Sequence, residues 1–312
     1  MFWGIVFLLI IFCVVIGGGI NYMIRRLRNR KRAHPFNPKL KNIVINGSNI
    51  KYVEKGEGTP IIMIHGSQMN SYDWRDNIDF FAKKHKVYAI DMIGCGWSDK
   101  PKGEYSPDFF AEFINDFMNH LNIDKAVFIA NSWGGGHTLH FALKYPERIN
   151  ALILSSPCGY KHKLDIMYIL RFPIVGRIIL LFASKMMVKS QLKAAFFNKS
   201  HIDKTLVNAV YFPFLSQGFI QSTLKSYKNA DFHFVQNNIS KINLPTLLIW
   251  GDSDHKHPIE MAEKMNREIK NSQLIVFDDC GHLPHSEKSE QFNYYAEQFI
   301  DKILNCSLSE GN

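Results

Sequence analysis

The sequence has no CxxC pair, no GxxxxGKS or GxxxxGKT stretch, no internal repeat and no low-complexity tract. These absences exclude a redox dithiol or zinc ribbon, a P-loop nucleotide site, and a solenoid or propeller. Cysteine is scarce and scattered: Cys13, Cys95, Cys158, Cys280 and Cys306 make an odd five. A disulfide framework is excluded on that count, and a reducing compartment fits. Charge is missing altogether from Phe2 to Ile24, then returns as Arg25, Arg26, Arg28, Arg30, Lys31 and Arg32. Without those six the net charge falls from +9 to +3, so the basic character is local and does not describe a nucleic-acid surface. What remains is ordinary for a large globular domain: 312 residues, 46% hydrophobic and 21% charged.

The uncharged run reads as a single-pass membrane anchor over residues 1–24, since about 20 apolar residues span a bilayer core as a helix. A cleaved signal peptide is the rival reading, with Gly17, Gly18 and Gly19 as a cleavage region, although the positive charge stands after the run. The basic stretch belongs to a juxtamembrane linker, 25–41, that holds the following domain on the cytoplasmic side and attracts anionic headgroups.

Beyond the linker the pattern alternates. Asn42–Ile45 and Ile50–Glu54 flank Asn46-Gly47, a hairpin dipeptide. Short apolar runs at Pro60–Ile64, Val87–Ile90, Ala126–Ala130, Ala151–Leu154, Thr246–Trp250 and Gln273–Phe277 read as strands. Between them, Trp74–His85, Pro107–Leu121, the stretch to Tyr145, Ile259–Ile269 and Glu290–Leu304 read as helices. This order predicts an α/β fold: a mostly parallel sheet with helices on both faces, built from 42–157 and 239–305. The intervening 158–238 lacks strand alternation and is expected to be a helical lid.

Ala130-Asn131-Ser132-Trp133-Gly134 follows a strand and opens a helix, the context of a nucleophile elbow, with alanine in place of the first glycine of G-x-S-x-G. A serine needs a base, and His282 follows the last strand in Cys280-Gly281-His282. The acid falls between them in chain order; Asp254 is favoured, with Asp252 as the alternative that spacing leaves open. His255-Lys256-His257 lacks a further ligand set at zinc-like spacing, so neither metal nor cofactor is expected. His137 and His140 share a helical face and read as packed or solvated residues.

Taken together these motifs resemble the α/β-hydrolase fold superfamily from about residue 42 to 304. His65-Gly66-Ser67 is similar to its H-G-x loop, Asp91 to Ser98 to its D-x-x-G-x-G-x-S turn, and Trp250-Gly251-x-x-Asp254 and Gly281-His282 to its acid and base segments. The resemblance implies an oxyanion hole from the amides of Ser67 and Trp133, with His65 and Asp91 fixing loops. Serine at 132 argues against the aspartate-nucleophile relatives, the dehalogenases and epoxide hydrolases. In G-H-x-x-x-x-E-x-P the glutamate is Glu287, but Ser289 replaces the proline.

Ile166–Val188 is mostly apolar but carries Arg171, Pro173 and Arg177, so a lid helix pair is favoured over a second membrane span. Such an apolar, cation-edged lid beside an anchor is expected to rest on the lipid surface, and it suits an ester with an apolar acyl chain, as in membrane-anchored monoacylglycerol lipase-like members of the family. Carbon–carbon bond hydrolysis or cofactor-free peroxidation on the same triad stays open. So does a non-catalytic ligand-binding protein on a hydrolase fold.

Overall fold

A computed structural model describes residues 16–27, 34–35, 40–160 and 166–309. Its centre is an eight-stranded sheet: β1 (Leu40–Ile45), β2 (Ser48–Lys55), β3 (Thr59–Ile64), β4 (His85–Ile90), β5 (Ala126–Asn131), β6 (Ile149–Ser155), β7 (Thr246–Gly251) and β8 (Ser272–Phe277). The spatial order is β1-β2-β4-β3-β5-β6-β7-β8. The β1–β2 and β2–β4 pairs are antiparallel and every other pair is parallel. Asn46 and Gly47 both take positive φ, 48° and 76°, the backbone that a two-residue hairpin turn demands.

Alternate strand residues feed two separate cores. Ile62, Ile64 and Phe128 point to the side covered by α1 (Pro107–His120) and α2 (Ser132–Lys144), where they meet Phe110, Phe117 and Phe141. Ile61, Met63 and Ile129 point to the other side and pack on Trp74, Phe292, Ala296 and Phe299. The last three belong to α9 (Ser289–Ser309). Because both faces are covered, β5 and β7 are buried along their whole length, which is why they read as unbroken apolar runs. Ser106 starts α1 by accepting from the Phe109 amide at 3.2 Å, with Pro107 at the first helical position.

Between β6 and β7 the described chain is helical, with α3 (Pro173–Leu181), α4 (Lys185–Ala195), α5 (Lys204–Tyr211), α6 (Phe219–Asn229) and α7 (His233–Asn238). The cap made by these helices has its own apolar cluster, including Leu180, Val188, Leu192, Leu206, Phe214 and Phe219. The same cluster takes in Met69 and Leu283 from the loops at the carboxyl edge of the sheet, so the cap sits over that edge. After β7, α8 (Ile259–Glu268) packs its Met265 into the first core.

One expectation reaches beyond the described residues, and one needs correction. Residues 1–15 of the expected membrane span lie outside the described residues. Residues 16–27 are helical, yet no described helix is long and apolar enough to cross a membrane. The linker expected over 25–41 also begins inside that helix. The correction concerns Trp74–His85, which is not one helix. A 3-10 turn covers Ser71–Trp74, a single helical turn covers Ile78–Phe81, and His85 already opens β4.

Candidate active site

β5 ends at Asn131 and α2 begins at Ser132 with no linking residue, so the chain must reverse within one position. Ser132 bears that turn at φ 50°, a left-handed conformation costly for a side-chain-bearing residue and frequent where function holds it. The crowding is measurable at the neighbouring glycines. A Cβ on Gly134 would lie 2.4 Å from the His65 carbonyl oxygen, and one on Gly66 would lie 2.7 Å from Asn131 Oδ1. Asn131 ties the elbow sideways, donating to the carbonyls of Ser155 at 3.0 Å and His282 at 3.3 Å.

Ser132, Asp254 and His282 come from three separate loops at the carboxyl ends of β5, β7 and β8, and they meet. Ser132 Oγ lies 2.8 Å from His282 Nε2, and His282 Nδ1 lies 2.8 Å from Asp254 Oδ2. All three are buried. Asp254 Oδ1 accepts from the amides of Lys256 and His257, each at 2.9 Å, so a tight turn aims the carboxylate. Burial alone would raise the Asp254 carboxyl; His282 and His257 outweigh it and hold the group below the ordinary carboxylate value. Asp252, the alternative acid, is exposed and its carboxylate accepts from the Cys280 amide instead.

Ser67 follows β3 and Trp133 is the second residue of α2; both line one narrow pocket beside the serine. Ile93, Phe110 and Phe219 line it together with the polar Gln68, Ser222, Thr223, Ser226 and Tyr227, and no lysine or arginine is among the described lining residues. The Ser67 hydroxyl is 2.9 Å from that of Tyr227 on α6, joining the loop after β3 to the cap. His65 pins the same loop: its Nδ1 donates to the Gly66 carbonyl at 2.7 Å, and its Nε2 accepts from the Met92 amide at 3.1 Å. Asp91 gathers the next one, accepting from the amides of Ser71 at 2.8 Å and Trp97 at 2.7 Å.

Two residues at this site carried weaker sequence signals. His257, met above only as half of a His-Lys-His pair, sets its ring edge-on to His282 at 4.6 Å between centroids. Its Nδ1 donates to the Ser156 carbonyl at 2.8 Å. Desolvation first, then the neighbouring His282 charge, pushes its imidazole down to about 3, so it is neutral at physiological pH. Donor atoms of Asp254, His257 and His282 lie within 4.8 Å of one another, a grouping that a metal ion can share. An ion seated there would have to break the Asp254–His282 bond. Glu287 is the second residue. Its carboxylate accepts from the amides of Gly281 at 2.8 Å, Phe197 at 2.7 Å and Asn198 at 2.9 Å. The His282 amide in turn donates to the Ala195 carbonyl at 2.7 Å. The end of α4 and the base loop are therefore one hydrogen-bonded unit.

The α/β hydrolase fold profile matches residues 59–176 and 195–289. The chain belongs to the α/β-hydrolase fold family. Among its relatives in that family, a 2-hydroxy-6-oxo-6-(2'-aminophenyl)hexa-2,4-dienoic acid hydrolase of Metapseudomonas resinovorans is 28% identical over 268 residues, 82% of this chain and 89% of that protein. An uncharacterised hydrolase of Bacillus subtilis is 25% identical over 267 residues, 84% of this chain and 97% of its own length. The solved structure of a meta-cleavage product hydrolase from Pseudomonas fluorescens IP01 aligns with a TM-score of 0.74 at 26% identity. That alignment covers 85% of this chain and 99% of the other.

Proposed function

We propose that this α/β-hydrolase cleaves an uncharged, apolar carboxylic ester, of the monoacylglycerol kind or smaller, through an acyl-enzyme on Ser132. The observation that carries the reading is the unbroken chain from Ser132 Oγ through both nitrogens of His282 to Asp254. In the forward step His282 Nε2 takes the serine proton as Oγ attacks the ester carbonyl, while Asp254 fixes the ring and stabilises its charged form. The amides of Ser67 and Trp133 receive the developing oxyanion, a contribution of roughly 3–4 kcal/mol per donor. The alcohol leaves with the proton from His282, and a water activated by the same nitrogen releases the acid. The preference for a neutral ester draws support from the pocket wall, which among the described residues holds no lysine or arginine to pair with a carboxylate.

A second reading, hydrolysis of a carbon–carbon bond in a ring-cleavage dienoate, draws support from the relatives that act on such acids. The test sets both substrate classes against the protein and Ser132→Ala. p-Nitrophenyl esters of graded chain length should turn over, with loss in the variant, and a fluorophosphonate should label the wild type alone. Turnover of 2-hydroxymuconate semialdehyde with no ester turnover would transfer the assignment to the second reading. A folded wild type that neither reacts with the probe nor turns over either class would remove both.

We infer further that the uncharged run Phe2–Ile24 and the cations after it place the protein on a membrane with its catalytic domain on the cytoplasmic side. Alkaline carbonate extraction should leave the full chain with the membrane fraction; release into the supernatant would contradict this.

A further inference from the structure

The helix at residues 16–27 has its polarity reversed relative to a helix docked on a water-soluble domain. Its protein-facing positions are Gly18, Tyr22, Arg25 and Arg26, a small residue and three polar ones at helical spacing. Tyr22 donates to the carbonyls of Phe214 at 3.0 Å and Ser216 at 3.2 Å. The Arg25 guanidinium donates to the carbonyls of Leu181 and Ala183, the acceptors left open at the end of α3, and Arg26 reaches Gln217 at 3.1 Å. The outward face carries Ile16, Ile20, Met23, Ile24 and Leu27, all exposed, with Asn21 as its one polar side chain. A water-facing helix carries the opposite arrangement.

The cap continues this apolar stripe. Gly18 lies so close to Phe182 that a Cβ there would meet its ring at 2.7 Å, and Phe182 is itself exposed. From Phe182 the surface runs along α3 to Phe172, Ile174 and Val175, all exposed. Met186 on α4 lies four residues beyond Phe182. Ile174 and Met186 are the most exposed large apolar side chains described, at 75% and 79%. Arg177 and Lys189 are exposed on the same two helices.

We propose that this joint face of the 16–27 helix and the cap is seated on a lipid bilayer. The inference rests on the membrane reading above and adds the orientation: the cap, not the sheet domain, meets the lipid. Three observations select lipid as the occupant. The docked helix is preceded in the chain by residues 2–15, which carry no charged side chain. Ten exposed large apolar side chains fall on this helix and on 172–186, a concentration rather than single scattered residues. The cations flanking this face, with Arg28, Arg30, Lys31 and Arg32 later in the chain, suit the anionic headgroups of a leaflet. Tyr22 and Arg25 hold the cap in that seat, and α4 passes from it to the Ala195 carbonyl that binds the His282 amide.

The test uses the full chain in vesicles of phosphatidylcholine and phosphatidylglycerol that contain a diazirine-bearing phospholipid. After irradiation, lipid adducts are mapped by mass spectrometry. Adducts are expected within 16–27 and within 172–186, and to be absent at Val44 and Tyr294, exposed apolar side chains of the sheet domain. Adducts confined to residues 1–27, with 172–186 unlabelled, would leave the anchor standing and overturn the seat. Cross-links between two copies through 172–186, in place of lipid adducts, would overturn it in favour of self-association. Adducts nowhere in the chain would remove the membrane reading as well.

Discussion

The turn after β7 holds Asp254 by both oxygens: one accepts two backbone amides, and the other faces His282. Asp254→Asn keeps the shape of that turn, but an amide nitrogen facing His282 Nδ1 forces the ring toward the wrong tautomer. The rate of Ser132 labelling and of turnover should fall roughly 10⁴-fold, with the unfolding midpoint little changed. Asp252→Asn is the control, since that carboxylate is exposed and holds only a loop amide. Equal losses in the two variants would sink the assignment of the acid. The sequence favoured Asp254 without excluding Asp252, because spacing says nothing about which one turns inward. Ser132 and His282 were legible because each sits at a strand end with small neighbours, a local pattern. His257 was not, because its placement depends on the Ser156 carbonyl one strand away.

At the scale of elements, the elbow and the base loop are the joints on which the site depends. Gly134→Ala places a methyl 2.4 Å from the His65 carbonyl and 2.7 Å from that of Ile64, both backbone atoms that cannot swing aside. The start of α2 or the end of β3 must move, so Ser132 labelling should be lost along with several kcal/mol of stability. A variant of native stability and rate would contradict the packing described here. Glu287 joins the end of α4 to the base loop, and burial raises its carboxyl while the three amides pull it back. In Glu287→Gln the NH2 group must face at least one of those amides, a cost of about 2 kcal/mol. His282 should shift with its loop, so kcat should fall more than KM rises; unchanged kcat would remove Glu287 as a positioning residue. Most elements were legible from period and length, because strands buried on both faces and amphipathic helices write themselves locally. Trp74–His85 was not. Asn77 donates to the His285 carbonyl at 2.9 Å and to Asn293 at 2.8 Å, and Asp73 lies 3.3 Å from His285. Partners more than 200 positions away break a helix that a local window sees as continuous.

Across the whole molecule, buried imidazoles decide how stability responds to acid. His65 and His137 are fully buried, and desolvation lowers both from the ordinary value of 6.5. The unfolded chain takes up protons near pH 6.5 while the folded chain declines them, so each group stabilises the fold above that pH. The contribution is lost as pH falls below it, by about 1.4 kcal/mol per pH unit for each proton. Asp91 and Asp254 act in the same direction but lower, because their depressed carboxyls lose stabilising charge only below the ordinary value of 3.8. Acid unfolding should therefore begin below about pH 6.5, ahead of the carboxylates. His137 isolates the effect. It stands among Phe110, Trp133 and Phe232 at ring distances of 4.4, 4.2 and 5.2 Å, and neither ring nitrogen has a hydrogen-bond partner among the described residues. His137→Phe keeps the aromatic contacts and removes the proton uptake. Its unfolding free energy should match or exceed that of the wild type at pH 7.5, and the gap should widen steadily toward pH 5. Urea unfolding at stepped pH measures that gap. Parallel pH slopes for the two proteins would show that His137 accepts its proton in the folded state, and would place the acid limb on other groups.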